Sequence, residues 1–352
     1  MAVPPPVPPP PRQSRPRTVV LFALAFIAAL MASAGTLVRL PYDSVAPGSA
    51  RRVDDLISIK GHPVYPPEGK VLITTVSVRE RLNLWEALAG WIDENTDIVH
   101  EENLRGPIPP EEYHQLNVEA MANSKTAAEA VVLRHLGFPN LGGGAEVTGT
   151  DPELPSAEVL GAKDVIVAID DRPVTGPPEA VAAIRAHQPG DTVRLSVVRG
   201  DAAPAERITT LGRNDEGQAL LGVTLGPKLR LPFEIVIDSG TIEGPSAGLA
   251  YTLALLDELT PGDLTGGVDV AVTGEMDSEG KVGAVGGVGQ KAEAVRRSGA
   301  ALFLVPRANL EEARAQARDL QVKAVDTFDD ALKALATLPG SNADSLAPSA
   351  AG

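Results

Sequence analysis

The 352-residue chain has no cysteine, and none of its five histidines follows His187. The first absence excludes disulfides, thiolate metal sites and cysteine nucleophiles. It leaves the compartment open, because a cysteine-free chain suits either side of a membrane. Basic residues are outnumbered, 31 against 46 acidic, for a formal net charge of −15. Phosphate backbones are bound by clustered Lys and Arg, so no nucleic-acid partner is expected. No G-x-x-x-x-G-K-[ST] run occurs either. The nearest stretch, 274–282, has one residue too many between its glycines, and Val282 stands where a hydroxyl must bind magnesium. The glycines of 283–289 lack the strand, turn and helix order of a dinucleotide loop. ATP is therefore not an expected partner, and no cofactor or metal is expected.

What remains is enough for real cores: 43% hydrophobic residues, over a length that fits two or three domains. Residues 1–17 are Pro-rich and carry Arg12, Arg15 and Arg17 without an acid. An uncharged apolar run follows from Thr18 to Val38, close to the ~20 residues a helix needs to span hydrocarbon. The positive-inside bias puts the tail in the cytoplasm and the chain beyond Arg39 outside, although Arg39, Arg51 and Arg52 dilute the asymmetry. A retained single-pass anchor over 18–38 is the preferred reading. Cleavage at Ala32-Ser33-Ala34 is the alternative. Either way the bulk is extracytoplasmic at the cell membrane.

The chain reads as a multidomain α/β (α+β) protein. Residues 42–138 form a mixed segment, β-rich at 71–78 and helical at 118–136, broken by Pro107, Pro109 and Pro110. Trp85 and Trp91, near Leu82, Leu84 and Leu88, are read as core. Residues 139–229 alternate short strands with turns: a buried strand at 165–169, the turn Asp170-Asp171-Arg172-Pro173, a helix at 178–186 and a strand at 193–197. Gly137 just past a helix is an ordinary C-terminal cap with Phe138 packing back, or else part of a carboxylate-binding loop. Residues 230–340 alternate strands (233–237, 268–273, 302–305, 322–325) with helices (246–259, 288–298, 310–320, 329–338). Residues 341–352 are a small-residue tail read as disordered.

Chemistry concentrates in the last domain. Gly244-Pro245-Ser246-Ala247-Gly248 fits G-x-S-x-G, but in α/β-hydrolases the base histidine follows the serine, and none does here. A lipase or esterase is thereby disfavoured. Pro245 suits a first helical turn and the run after Ser246 is apolar all round, so Ser246 opens a buried helix whose free amides and dipole favour an oxyanion. The motif alone fits a capping serine at least as well. A serine lacking an imidazole needs a desolvated lysine. Downstream are Lys281, in a turn after Gly280, Lys323 and Lys333, both read as solvated, and Lys291. With Val288, Ala292 and Val295, Lys291 follows the i, i+3, i+4, i+7 pattern, while Glu293, Arg296 and Arg297 are placed on the other face. Burial would lower its pKa enough to accept a proton. A snorkelling lysine fits the same pattern.

Two resemblances sharpen this. The runs Val147-Thr148-Gly149, Pro155-Ser156-Ala157 and 165–174 resemble a PDZ domain, with Lys163 where the family usually has glycine before the aspartate. The resemblance implies a peptide-binding module that selects or gates substrates. Residues 243–299 resemble the proteolytic domain of Lon proteases: Pro245-Ser246-Ala247-Gly248, Thr273-Gly274-Glu275 and Gly286-Gly287-Val288-Gly289-Gln290-Lys291 stand in the family's order and spacing. It implies Ser246 as nucleophile, Lys291 as general base and Thr273 as a hydroxyl orienting the lysine, with Glu243, Gly244 and Ala247 supporting. The family usually has aspartate at Glu243. The order of anchor, PDZ and Lon-type domain resembles the membrane-anchored Lon-like PDZ proteases of bacteria. That resemblance implies an ATP-independent serine-type endopeptidase acting on extracytoplasmic proteins or peptides, and a homo-oligomer, hexameric by analogy. A membrane-tethered PDZ scaffold with an inactive peptidase domain is the alternative.

Overall fold

The computed structural model describes residues 16–138, 141–200 and 202–346. The Pro-rich tail read over 1–17 lies outside them except for its last two residues, as do the last six residues of the C-terminal tail. The described chain divides into two units, residues 1–46 with 77–107, and residues 47–76 with 108–352.

In the first unit, helix α1 (Pro16–Leu37) contains the apolar stretch Val20–Leu37, of mean hydropathy 2.2, whose large apolar side chains are exposed. It is long and apolar enough to cross a membrane. The start of strand β1 (Tyr42–Arg52) pairs antiparallel with β4 (Asp97–His100), from Tyr42 opposite His100 to Val45 opposite Asp97, and α3 (Glu101–Arg105) follows. Helix α2 (Leu84–Ile92) opens on a capping box: the Asn83 side chain accepts from the Glu86 amide, and Glu86 accepts from the Asn83 amide. The expectation that Trp85 and Trp91 are core is wrong. Leu82 is buried, but both indoles are exposed, Trp91 to 82%. The capping box and the ion pairs of Glu86 with Arg39 and Arg79 fasten the other side of the helix and turn the aromatic side out.

The second unit is built on parallel strands. β3 (Lys70–Arg79), β14 (Asp269–Val272), β17 (Leu302–Pro306) and β18 (Gln321–Val325) lie side by side, with Val270 opposite both Val71 and Leu302. Side chains alternate across a strand, so each strand feeds two cores. Val71, Ile73, Val270, Val272, Leu302 and Leu304 face one way, packed with α4 (Pro110–His135), α6 (Gly248–Leu259) and α9 (Phe328–Leu335). Leu72, Ala271, Phe303 and Val305 face the other, against α7 (Val288–Ser298) and α8 (Leu310–Ala317). β2 (Ile57–Lys60) pairs with β13 (Glu234–Ile237). The segment 42–138, whose relation to the last domain the sequence leaves open, supplies a strand and a long helix to the core shared with residues 230–340. α4 begins eight residues before the expected helix, because Pro110 starts it instead of breaking it: a first-turn proline has no amide to lose. Residues 341–346, read as tail, are ordered. Ser341 Oγ donates to the Leu264 carbonyl, Asn342 Nδ2 to that of Pro261, and Ala343 is buried at the start of α10 (Ala343–Leu346).

Between α4 and β13 stands a small β domain. β12 (Val223–Leu229), β5 (Gly142–Thr150), β6 (Asp164–Ile169), β8 (Thr192–Arg199) and β9 (Ala205–Thr210) form its sheet in that order, closed by α5 (Pro177–Arg185) over Val147, Ile166 and Leu195. β7 (Arg172–Pro173) joins β6 through Asp170 and Asp171, both at positive φ, as a two-residue hairpin turn requires. A second hairpin joins β10 (Gly212–Arg213) to β11 (Ala219–Leu220). Lys163 holds φ +71°, the conformation glycine supplies elsewhere, while Asp164 beside it is buried on Arg199 at 2.6 Å. The Gly137 amide donates to Arg134 O and that of Phe138 to Leu133 O, so the reading as a helix cap holds; Phe138 packs on Phe233. Entry and exit of the domain are adjacent, the Arg230 amide donating to Leu141 O at 2.8 Å.

Candidate active site

The site gathers at the C-terminal end of β14, where Thr273 and Gly274 continue the strand. Gly244, at φ +81°, turns the chain into the short helix Pro245–Ala247, from which α6 continues, buried along its whole length. Ser246 is half-buried in that turn. Its carbonyl accepts from the Gly274 amide at 3.0 Å and from the Thr273 hydroxyl at 3.3 Å. From the opposite layer Lys291 Nζ donates to the same Thr273 Oγ1 at 3.2 Å. One hydroxyl therefore joins the lysine on α7 to the backbone of the serine before α6.

Lys291 is 3% exposed. Burial lowers its pKa from 10.5 to about 8, partly opposed by the carboxylate of Glu312. Glu312 also accepts from the Gly289 amide in the first turn of α7, and Asn309 clasps Val285 in both directions, so the loop before α7 is tied to α8. The other downstream lysines differ. Lys281 is exposed in its turn, Lys323 Nζ donates to Ala334 O and Thr337 Oγ1, and Lys333 is exposed beside Asp330. Glu293, expected on the solvated face of α7, is instead buried and held at about 2 by Arg296 and Arg297, which cover it as an ion-paired lid. No hydrogen bond joins Ser246 Oγ to Lys291 Nζ among the described residues. Such bonds often tighten only when substrate is present.

Helix α4 carries what the sequence reading missed. The Gly244 amide donates to Asn117 O at 3.1 Å, Ser124 Oγ donates to Pro245 O at 3.0 Å, and His114 Nδ1 lies 2.9 Å from Glu243 Oε2. Gly244 thus shapes the turn and has its amide engaged, so the oxyanion donors of the turn are to be sought at Ser246 and Ala247. Glu243 faces His114 at the rim. A β-carbon on Gly248 would stand 2.4 Å from Ser124 Oγ and 2.7 Å from the Met276 amide, so α4 and α6 need glycine there to meet. The only signal in the sequence was small residues on the inner side of α4, which permit a close helix contact without naming its partner. Ser124→Ala should leave KM unchanged and lower kcat about tenfold, through a less well-held turn. Steady-state kinetics on one peptide substrate reads this directly, and an equal loss in KM would point to a wider collapse of the site.

Residues 234–337 match the family described as the Lon protease (S16) C-terminal proteolytic domain, and residues 130–208 match the PDZ domain family. Among curated proteins, Lon protease of Haemophilus influenzae is 39% identical over 94 residues, and that of Campylobacter concisus 38% over 96; each match covers 26% of this chain and 12% of the relative. The chain thus spans about an eighth of the length of these relatives. The PDZ domain of an SdrC-like protein from Listeria monocytogenes is 29% identical, covering 23% of this chain and 86% of that one, with a TM-score of 0.22. The chain carries a PDZ domain inserted ahead of a Lon-type proteolytic domain.

Proposed function

We propose that the protein is an ATP-independent serine endopeptidase with a Ser246/Lys291 dyad, acting on extracytoplasmic proteins or peptides from an N-terminal anchor. The observation that carries this reading is the buried Lys291, its pKa lowered to about 8 and its ammonium hydrogen-bonded to a hydroxyl that also holds the Ser246 backbone. Neutral Lys291 takes the proton of Ser246 Oγ as that oxygen attacks the scissile carbonyl. The resulting oxyanion is met by backbone amides of the turn, Ala247 among them. The lysine then returns the proton to the leaving amine, and water, activated by the same lysine, releases the acyl group. Thr273 keeps the ammonium aimed at the serine. The PDZ domain selects or gates substrates, and the chain works as a homo-oligomer, a hexameric ring by analogy with Lon-type domains.

A second reading, a tethered PDZ scaffold with an inert peptidase domain, is favoured by the open Ser246–Lys291 pair. A histidine base is a third: His114, Glu243 and Ser246 stand in the order histidine, acid, serine used by one class of serine hydrolases, but the His114 ring is largely exposed. Turnover of unfolded casein without ATP separates them. Ser246→Ala and Lys291→Ala should each lose at least a thousandfold, with Lys281→Ala and His114→Ala within about threefold of wild type. Activity surviving Lys291→Ala and lost in Lys281→Ala or His114→Ala reassigns the base. A wild type inert in every assembly state supports the scaffold.

A further inference from the structure

The exposed aromatic face of α2 is not used by the chemistry above. Leu84, Trp85, Leu88, Trp91 and Ile92 recur at i, i+1, i+4, i+7 and i+8, one side of a nine-residue helix, with Ile92 74% exposed. The other side is fastened by the capping box and by Glu86, paired with Arg39 and Arg79. Arg39 and Arg79, exposed, pair with Glu86 on that other side, and Arg81 pairs with Glu101. Such an apolar face, in water, is an unfavourable surface that covering would relieve.

What covers it is indicated by its neighbour. Trp85 lies against the last turns of α1, where a β-carbon on Gly35 would stand 2.5 Å from its Nε1. α1 exposes apolar side chains along its length, so whatever solvates the end of α1 reaches α2. Tryptophan flanked by arginine, at the end of a span, is the composition of the membrane–water interface, where an indole buries its ring and keeps its N–H near the headgroups. We infer that α2 lies in the headgroup region of the bilayer beside α1, its Leu, Trp and Ile side chains inserted; this rests on the reading of α1 as a membrane anchor. The partner is a lipid surface.

Trp85 and Trp91 are the two tryptophans of the chain, so its tryptophan emission reports on α2 alone. The full chain is reconstituted into phosphatidylcholine/phosphatidylglycerol vesicles, recovered by flotation, and compared in lipids brominated near the headgroup or deep in the acyl chains. Shallow bromines are expected to quench the emission at least twofold more than deep ones. The Trp85→Phe variant, which leaves Trp91 away from α1, should keep that pattern. Floated protein whose Trp91 emission is red-shifted and unquenched overturns the inference while leaving the anchor standing. Blue-shifted, unquenched emission that depends on protein concentration overturns it in favour of a second copy covering α2. A chain that does not float removes the anchor and the inference together.

Discussion

Replacing Lys291 by methionine is expected to abolish turnover and, at pH 7, to raise folding stability by up to about 3 kcal/mol. The stabilisation follows from the cost of keeping a charged ammonium buried. The lysine titrates near 8 when folded and at 10.5 ordinarily, and each pH unit of difference is worth about 1.36 kcal/mol. Below pH 8 both folded and unfolded chains hold the proton, so the penalty is fully present. Between pH 8 and 10.5 the unfolded chain binds more protons than the folded one, so wild-type stability rises with pH. Above 10.5 the penalty is gone. Methionine has nearly the same length and no charge, which limits repacking costs. Urea unfolding of both proteins should therefore show the variant ahead at pH 7 and the gap closing by pH 10.5. A gap that ignores pH, or a less stable variant, means that the lysine is not desolvated. In the wild type, kcat/KM should climb about tenfold per pH unit below 8 and level off above it, because the base acts only when neutral.

The second large effect concerns the domain boundary. A fragment of residues 231–352 contains every residue of the Lon-type match and the whole dyad, yet it should not fold. It lacks β3, which pairs with β14, and α4, whose Met121, Val131, Val132 and Leu133 are buried in the same core as α6. At roughly 1.5–3 kcal/mol for each such side chain, those four alone are worth about 6–12 kcal/mol, comparable with the whole stability of an ordinary domain. Near-UV circular dichroism and denaturant titration of the fragment should show no cooperative transition. Restoring residues 47–138 and joining Leu141 to Arg230 across the deleted β domain should recover it. A fragment that unfolds cooperatively on its own would show that the N-terminal pieces are accessory.

The strands of the last domain were readable because each alternates between two cores, and Val270, Ala271 and Val272 do so without a polar interruption. Lys291 was readable for a similar reason: its helix has a short apolar stripe and the lysine sits on it. Glu293 was misplaced because a carboxylate reads as solvated, although Arg296 and Arg297, three and four residues further along α7, stand at the spacing that lets them cover it. The tryptophans of α2 were misplaced for the opposite reason: an aromatic residue reads as buried, yet the ion pairs of Glu86 hold the other side of this helix and leave both indoles exposed. Asn117 and Ser124 could not be found at all. Their contacts to Gly244 and Pro245 span more than a hundred residues of chain, and nothing in the local pattern of α4 encodes so distant a neighbour.

That distance also orders events during synthesis. Lys70 pairs with Asp269, so the inserted PDZ domain, rich in local hairpins, emerges and can fold while β3 and α4 still await their partners. The serine turn, hung from Asn117 and Ser124, is assembled only when the C-terminal strands arrive. A chain cut before β14 therefore carries the strands of the PDZ domain but lacks Thr273 and Gly274, which hold the turn of Ser246.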